Sequence, residues 1–171
     1  MKIYLSGKMS GLSKKEILKN FSTIEKQLTK KCPHIISAMN PAVTYYMLTA
    51  NNKDSDFSYD DWLKIDFAML DTCAAVYLLP NWEDSNGAKQ EILYAWKHNK
   101  PVYFPKATNA AVRSCFSWNK KNYVYENDKE LLEKTVIKIK EEEIRKRIEQ
   151  AKNFAINGMA KDELREEKNN V

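Results

Sequence analysis

Residues 81–95, NWEDSNGAKQEILYA, follow an apolar run, VYLLP, at residues 76–80. A short continuous apolar run bounded by a turn signal reads as a strand buried on both faces, the kind found inside parallel sheets. Ser85 and Gly87 then form a tight turn and open a helix with Glu91 on its first turns. A strand, a small-residue loop and a helix N-terminus together suit an anionic group, because the first N–H groups are unpaired and the helix dipole is positive there. A carboxylate in that same place is unusual, which makes Glu91 the first residue to test.

The flanking chain alternates in type. Residues 2–6 (KIYLS) read as a strand ending at Gly7, and Ser10, Gly11 and Ser13 read as a turn. Ser13 with Glu16 three residues on has the spacing of a capping box. Ile17, Leu18, Phe21, Ile24 and Leu28 recur at helical spacing, so an amphipathic helix runs from residue 13 to about 31 and Pro33 stops it. Residues 34–38 (HIISA) read as a second strand, closed by Asn40-Pro41, and residues 42–50 as a helical turn or two. Residues 51–58 read as a polar loop. A helix follows over residues 59–73 (YDDWLKIDFAMLDTC), with Trp62, Ile65, Met69 and Leu70 toward the core. The strand at residues 74–79 leads into the opening stretch, whose helix runs from about residue 87 to 98. Residues 101–104 (PVYF) make a fourth strand, residues 107–121 are irregular, and residues 123–125 offer a short fifth. Alternating βαβ units favour a parallel sheet with right-handed crossovers. The expected fold is an α/β, flavodoxin/Rossmann-like three-layer sandwich with a four- to five-stranded parallel sheet over residues 1–127.

Residues 128–171 form a charged C-terminal helical extension. Ile137, Ile144, Ile148, Ala151 and Ala155 fall on one seam, and Gly158 is expected to break the helix. One reading packs its first half on the sheet; another pairs its second half with another subunit.

The composition, 43% hydrophobic and 30% charged in 171 residues, is that of a globular chain with room for a core. No apolar run approaches the roughly 18 residues that span a bilayer, and no secretory leader is recognisable, so the expected location is cytoplasmic. Cys32, Cys73 and Cys115 are odd in number and far apart, which supports neither a disulfide framework nor a metal site. A net charge of +5 spread over scattered lysines is a solvated surface, so no nucleic-acid partner and no membrane partner is expected. The residues 7–11 turn lacks P-loop spacing, and no cofactor is expected.

In a parallel α/β sheet, ligands bind beyond the C-terminal ends of the strands. Residues 4–11, Asn40-Pro41, residues 81–87 with Trp82, and the turn after Phe104 converge there. Glu91 and Asp66 both reach that crevice, and two carboxylates in unlike environments can divide nucleophile and acid roles. The plain alternatives are a dipole-complementing acid for Glu91, a surface carboxylate for Asp66, an N-cap for Ser85 and a packed strand residue for Tyr4. His34 and His98 lie away from the crevice, and Cys115, with Ser114 and Ser117, has no histidine beside it.

The segments IYLSGKMSG (residues 3–11), NPA (40–42), YDDWLKIDFAML (59–70) and VYLLPNWEDSNGAKQE (76–91) together resemble the nucleoside 2-deoxyribosyltransferase-like superfamily. The likeness is to its DUF4406-type branch, common in phages and prophages, and covers about residues 1–105. It implies that Glu91 attacks the anomeric carbon, that Asp66 handles the leaving base, and that Tyr4 orients Glu91. Ser85 matches the serine that marks nucleotide 5′-monophosphate hydrolases. The resemblance thus implies a nucleotide as small-molecule partner, with a 5′-phosphate near Ser85, Gly87 and the Gly7, Ser10 and Gly11 turn. Asn40 and Trp82 complete the implied substrate contacts. A homo-oligomer is implied too, in the host cytoplasm if the chain is phage-encoded. One departure is Ala74, where an aspartate is usual, with Asp71 as a partial substitute.

The expected function is hydrolysis of the N-glycosidic bond of a (deoxy)nucleoside 5′-monophosphate or related nucleotide. The alternatives are a non-catalytic nucleotide-binding or sequestering protein, in phage–host conflict for example, and a nucleoside deoxyribosyltransferase.

Overall fold

A computed structural model describes residues 1–50, 57–107 and 123–169. The chain falls into two compact units, Met1–Leu132 and Glu133–Val171.

The first unit is the expected α/β sandwich. Strand β1 (Lys2–Ser6) is followed by helix α1 (Lys14–Lys31), β2 (Ser37–Met39), α2 (Pro41–Leu48), α3 (Tyr59–Asp71) and β3 (Ala75–Leu78). A 3-10 turn (Trp82–Asp84), α4 (Asn86–Lys97), β4 (Val102–Ala107) and β5 (Tyr123–Glu126) complete it. The sheet order is β2-β1-β3-β4-β5, with the first four strands parallel and β5 antiparallel to β4. This is the flavodoxin-like order, in which the chain reverses direction across the sheet between β1 and β3. The fifth strand therefore joins the sheet in the opposite sense to the four before it.

Strand alternation sorts the two faces. Ile3 and Leu5 of β1, with Ala75, Tyr77 and Leu79 around β3, pack on Ile17, Phe21, Ile24 and Leu28 of α1. Tyr4 and Ser6, in register with Val76 and Leu78, point the other way, toward α3 and α4.

The helix ends follow local chemistry. Ser13 and Glu16 form the capping box expected at α1. A second box, Ser58 with Asp61, starts α3. Asn99 ends α4 in the left-handed region (φ 55°), a role its short polar side chain tolerates. Strand β2 begins later than the expected residues 34–38, because the Ile35 N–H is still turned back onto the Cys32 carbonyl at 2.9 Å. On α3, Leu70 is fully buried, whereas Trp62, Ile65 and Met69 are half-buried and Asp66 takes a buried place among them.

Asp128 starts α5 (Lys129–Asn169), its carboxylate accepting the Leu131 N–H at 2.9 Å. The helix continues unbroken past Gly158: a lone glycine costs about 1 kcal/mol there, too little to end a 41-residue helix. In the second unit Ile137, Ile144 and Ile148 of the expected seam lie at the surface. No helix among the described residues is long and apolar enough to cross a membrane. The loop expected over residues 51–58 and the irregular segment over residues 107–121, with Ser114, Cys115 and Ser117, lie outside the described residues except at their ends.

Candidate active site

The C-terminal ends of β1 and β3, where the sheet order reverses, carry a cleft of about 280 Å³. Its walls come from the β1–α1 turn, α2, α3 and the start of α4, and Glu91 and Asp66 both line it.

Glu91 sits on the inner face of α4 and is only 3% exposed. Tyr4 donates its hydroxyl to Glu91 Oε1 at 2.6 Å. Ser6 donates its hydroxyl to Oε2. Both oxygens thus accept a hydrogen bond from β1, an arrangement that favours a charged carboxylate. Burial and the Asp66 carboxylate nearby act the other way and push the Glu91 pKa well above the ordinary glutamate value. Asp66, 8% exposed on α3, is raised by burial to about 6 against a lowering contribution from Tyr4. Tyr4 is itself raised by burial and by the two carboxylates, so it remains a hydroxyl donor at any ordinary pH. Two acids sharing one low-dielectric site cannot readily both ionise, so a charge on Asp66 disfavours a second charge on Glu91.

Ser85 is the N-cap of α4, its hydroxyl accepting the Ala88 N–H at 3.1 Å and reaching the Gly7 carbonyl at 3.5 Å. Gly87 belongs to the first turn of α4 rather than to a tight turn. A Cβ there would meet just the Ser85 hydroxyl, at 3.8 Å. Gly7 is different: a Cβ would stand 2.7 Å from the Leu79 Cβ, so the β1–α1 turn approaches β3 as closely as it does only without a side chain. Gly11 has φ +77° in open space, and its role is conformational.

The structure therefore brings Glu91, Asp66, Gly7, Ser10, Gly11, Ser85 and Gly87 to one cleft, with Tyr4 behind Glu91. Asn40 and Trp82 do not line it. Asn40 caps α2 through the Ala42 N–H and donates to Glu25 Oε2 at 2.8 Å. Trp82 sets its ring edge-on to Phe104. Ala74 is exposed ahead of β3, at the opposite end of the strand from the cleft, and Asp71 accepts from the Tyr94 hydroxyl at 2.9 Å outside it. The missing aspartate thus leaves the carboxylate pair untouched. His34 and His98 are also absent from the cleft wall.

Two features escaped the sequence reading. Ser6 lies inside a strand, where period-two alternation puts it on the face of Tyr4 but nothing in the sequence pairs it with Glu91. Tyr45, Tyr59 and Trp62 form an aromatic wall, with the Tyr45 and Trp62 rings tilted at 5.3 Å between centroids. The described lining contains no Lys, Arg or His, and no cluster of three metal-ligating side chains occurs among the described residues. An anion in this cleft would be met by backbone N–H groups and hydroxyls, not by a basic side chain of the described lining.

A family model described as a domain of unknown function (DUF4406) matches residues 1–104. No curated protein and no solved structure matches the chain.

Proposed function

The chain belongs to the DUF4406 family, and on that premise we propose that its cleft cleaves the N-glycosidic bond of a (deoxy)nucleoside 5′-monophosphate or a related nucleotide. The likeness to the nucleoside 2-deoxyribosyltransferase-like superfamily is part of the same proposal. The observation that carries it is the buried Glu91 carboxylate, held at both oxygens by Tyr4 and Ser6 beside Asp66 in an open cleft.

In this reaction the Glu91 carboxylate attacks C1′ and forms a glycosyl ester. The base departs with the bonding electron pair, and Asp66 delivers its proton to the leaving nitrogen. Water then adds to C1′, passing its proton to Asp66, and Glu91 leaves as the carboxylate. The scheme is that of a retaining glycosidase, with an oxocarbenium-like transition state stabilised by the anion beneath it. The scheme needs one carboxylate and one acid, and the two groups lie in unlike surroundings: Glu91 accepts hydrogen bonds from Tyr4 and Ser6, while burial raises Asp66. The aromatic wall supplies a face for a base, and the first turn of α4 at Gly87 supplies N–H groups for a phosphate, the Ser85 N–H itself being donated to the Trp82 carbonyl at 3.0 Å. A cleft of about 280 Å³ sits at the lower end of small-ligand sites and suits one nucleotide.

The test is a nucleotide panel read by chromatography for free base. Wild type should release base and sugar phosphate, and Glu91→Ala should lower the rate by about 10³-fold or more while ligand still binds. No base from any nucleotide, with Glu91→Ala binding as wild type does, would end this reading. One observation favours a second reading. Glu91 is almost fully covered and its pKa is raised, and a neutral glutamate does not attack. On that reading the cleft sequesters a nucleotide, and the ligand is recovered intact. A rate that depends on a second free base would instead mark a transferase.

A further inference from the structure

We infer that Ser6 is a second positioning residue, which acts with Tyr4 to hold the Glu91 carboxylate in one plane and in its charged form. The sequence of β1 sets this up: Tyr4 and Ser6 are two apart, so both side chains leave the same face of the strand. Ser6 is fully buried, and its hydroxyl donates to Glu91 Oε2 while Tyr4 takes Oε1.

The backbone of Ser6 is fixed at the same time. Its carbonyl accepts the Leu79 N–H at 2.6 Å, and Gly7 next to it is pressed against Leu79. The hydroxyl is therefore presented from a clamped strand end, not from a mobile loop. The terminal torsion of a glutamate is broad and roughly two-fold, so a single donor leaves the carboxylate able to swing. Two donors on opposite oxygens stop that swing and keep one edge of the carboxylate toward the cleft.

The same two hydrogen bonds oppose the burial that raises the Glu91 pKa, since each stabilises the anion. The titratable groups facing Glu91 are Tyr4 on β1 and Asp66 on α3, with Tyr45 on α2 and Tyr59 on α3 on the same cleft wall; β3 presents Val76 and Leu78 there. None of these replaces the Ser6 donor. The inference deepens the proposed glycosidase reading in its kinetic arm and stands apart from it in its titration arm.

The test uses the full chain labelled with carboxyl-13C glutamate, with the Glu91 resonance assigned by its loss in Glu91→Gln. The Glu91 titration midpoint should rise in Ser6→Ala by about one pH unit or more, as expected for removal of a hydrogen bond to a charged group. Ser6→Cys, a weaker donor of similar size, should fall between wild type and Ser6→Ala, and it carries the same comparison if Ser6→Ala does not fold. On any nucleotide that wild type cleaves, Ser6→Ala should lower kcat about 10-fold, leave KM within about 2-fold, and move the acid limb of the pH profile upward. Midpoints in Ser6→Ala and Ser6→Cys that coincide with wild type overturn the assignment. A shifted midpoint in a protein that cleaves no nucleotide keeps the Ser6 assignment and removes the glycosidase reading.

Discussion

Gly7 and Gly87 each lie within two residues of a serine in the sequence, yet the structure gives them opposite constraints. At Gly7 a Cβ would collide with Leu79 at 2.7 Å, against strand-bound atoms that cannot move away cheaply. Gly7→Ala should cost about 1–3 kcal/mol, as overpacking does, and thermal unfolding will show it. At Gly87 the backbone is helical and the space is open, so Gly87→Ala should stabilise by about 0.5–1 kcal/mol through helix propensity. The added methyl enters the cleft wall, so the same variant should bind a nucleotide more weakly than wild type by calorimetry. A Gly87→Ala protein that is both more stable and unchanged in binding would take the α4 N-terminus out of the ligand site. Glu91 and Asp66 were legible because the helices that carry them reach the crevice beyond the strand ends, whereas the role of Tyr4 came from the resemblance alone. Ser6 was not, because a serine in a strand carries no signal until its partner is known.

At the scale of elements, α4 and α3 do different work. Ser85 caps α4, and its hydroxyl is committed to the Ala88 N–H. Ser85→Ala should therefore cost about 1 kcal/mol in denaturant unfolding whether or not a phosphate binds there. A drop in affinity for a nucleotide that exceeds the drop for its nucleoside would add a phosphate contact to that capping role. Helix α3 carries Asp66 on its buried face and Trp62 on the cleft wall, with Phe57 packed on the Trp62 ring at 4.8 Å between centroids. Trp62→Ala should weaken base-containing ligands by about 1–3 kcal/mol, roughly 10- to 100-fold, and leave sugar phosphate binding little changed. The helices were readable from apolar period, with the Ser13 cap marking the start of α1, whereas the Ser58 cap of α3 fell in a stretch that reads as a polar loop. Their aromatic residues were not readable as a wall, because Trp62 at helical spacing looks the same whether it faces a core or a cleft.

For the whole molecule, the buried acid pair makes stability depend on pH. Asp66 is raised from an ordinary aspartate value to about 6, so its contribution favours the fold at acid pH. That contribution is fully present below the unfolded-state value near 4 and is lost as pH rises through about 6. Glu91 acts in the same direction. Wild type should thus lose about 1–3 kcal/mol between pH 4 and pH 7.5 through this pair. Asp66→Asn should show a flatter profile by urea unfolding at the two pH values. A wild-type profile as flat as that of Asp66→Asn would mean that the pair is not buried as described. The sequence by itself determined the alternation of strands and helices, their caps and the candidate acids. These depend on neighbours within a few residues, through periodicity, backbone conformation and local hydrogen bonds. Only the tertiary structure decided the antiparallel sense of β5, the commitment of Asn40 to Glu25 and of Trp82 to Phe104, and the meeting of Tyr4, Ser6, Asp66 and Glu91. Those outcomes join residues up to 87 positions apart, and register between strands, not spacing along the chain, sets such distances.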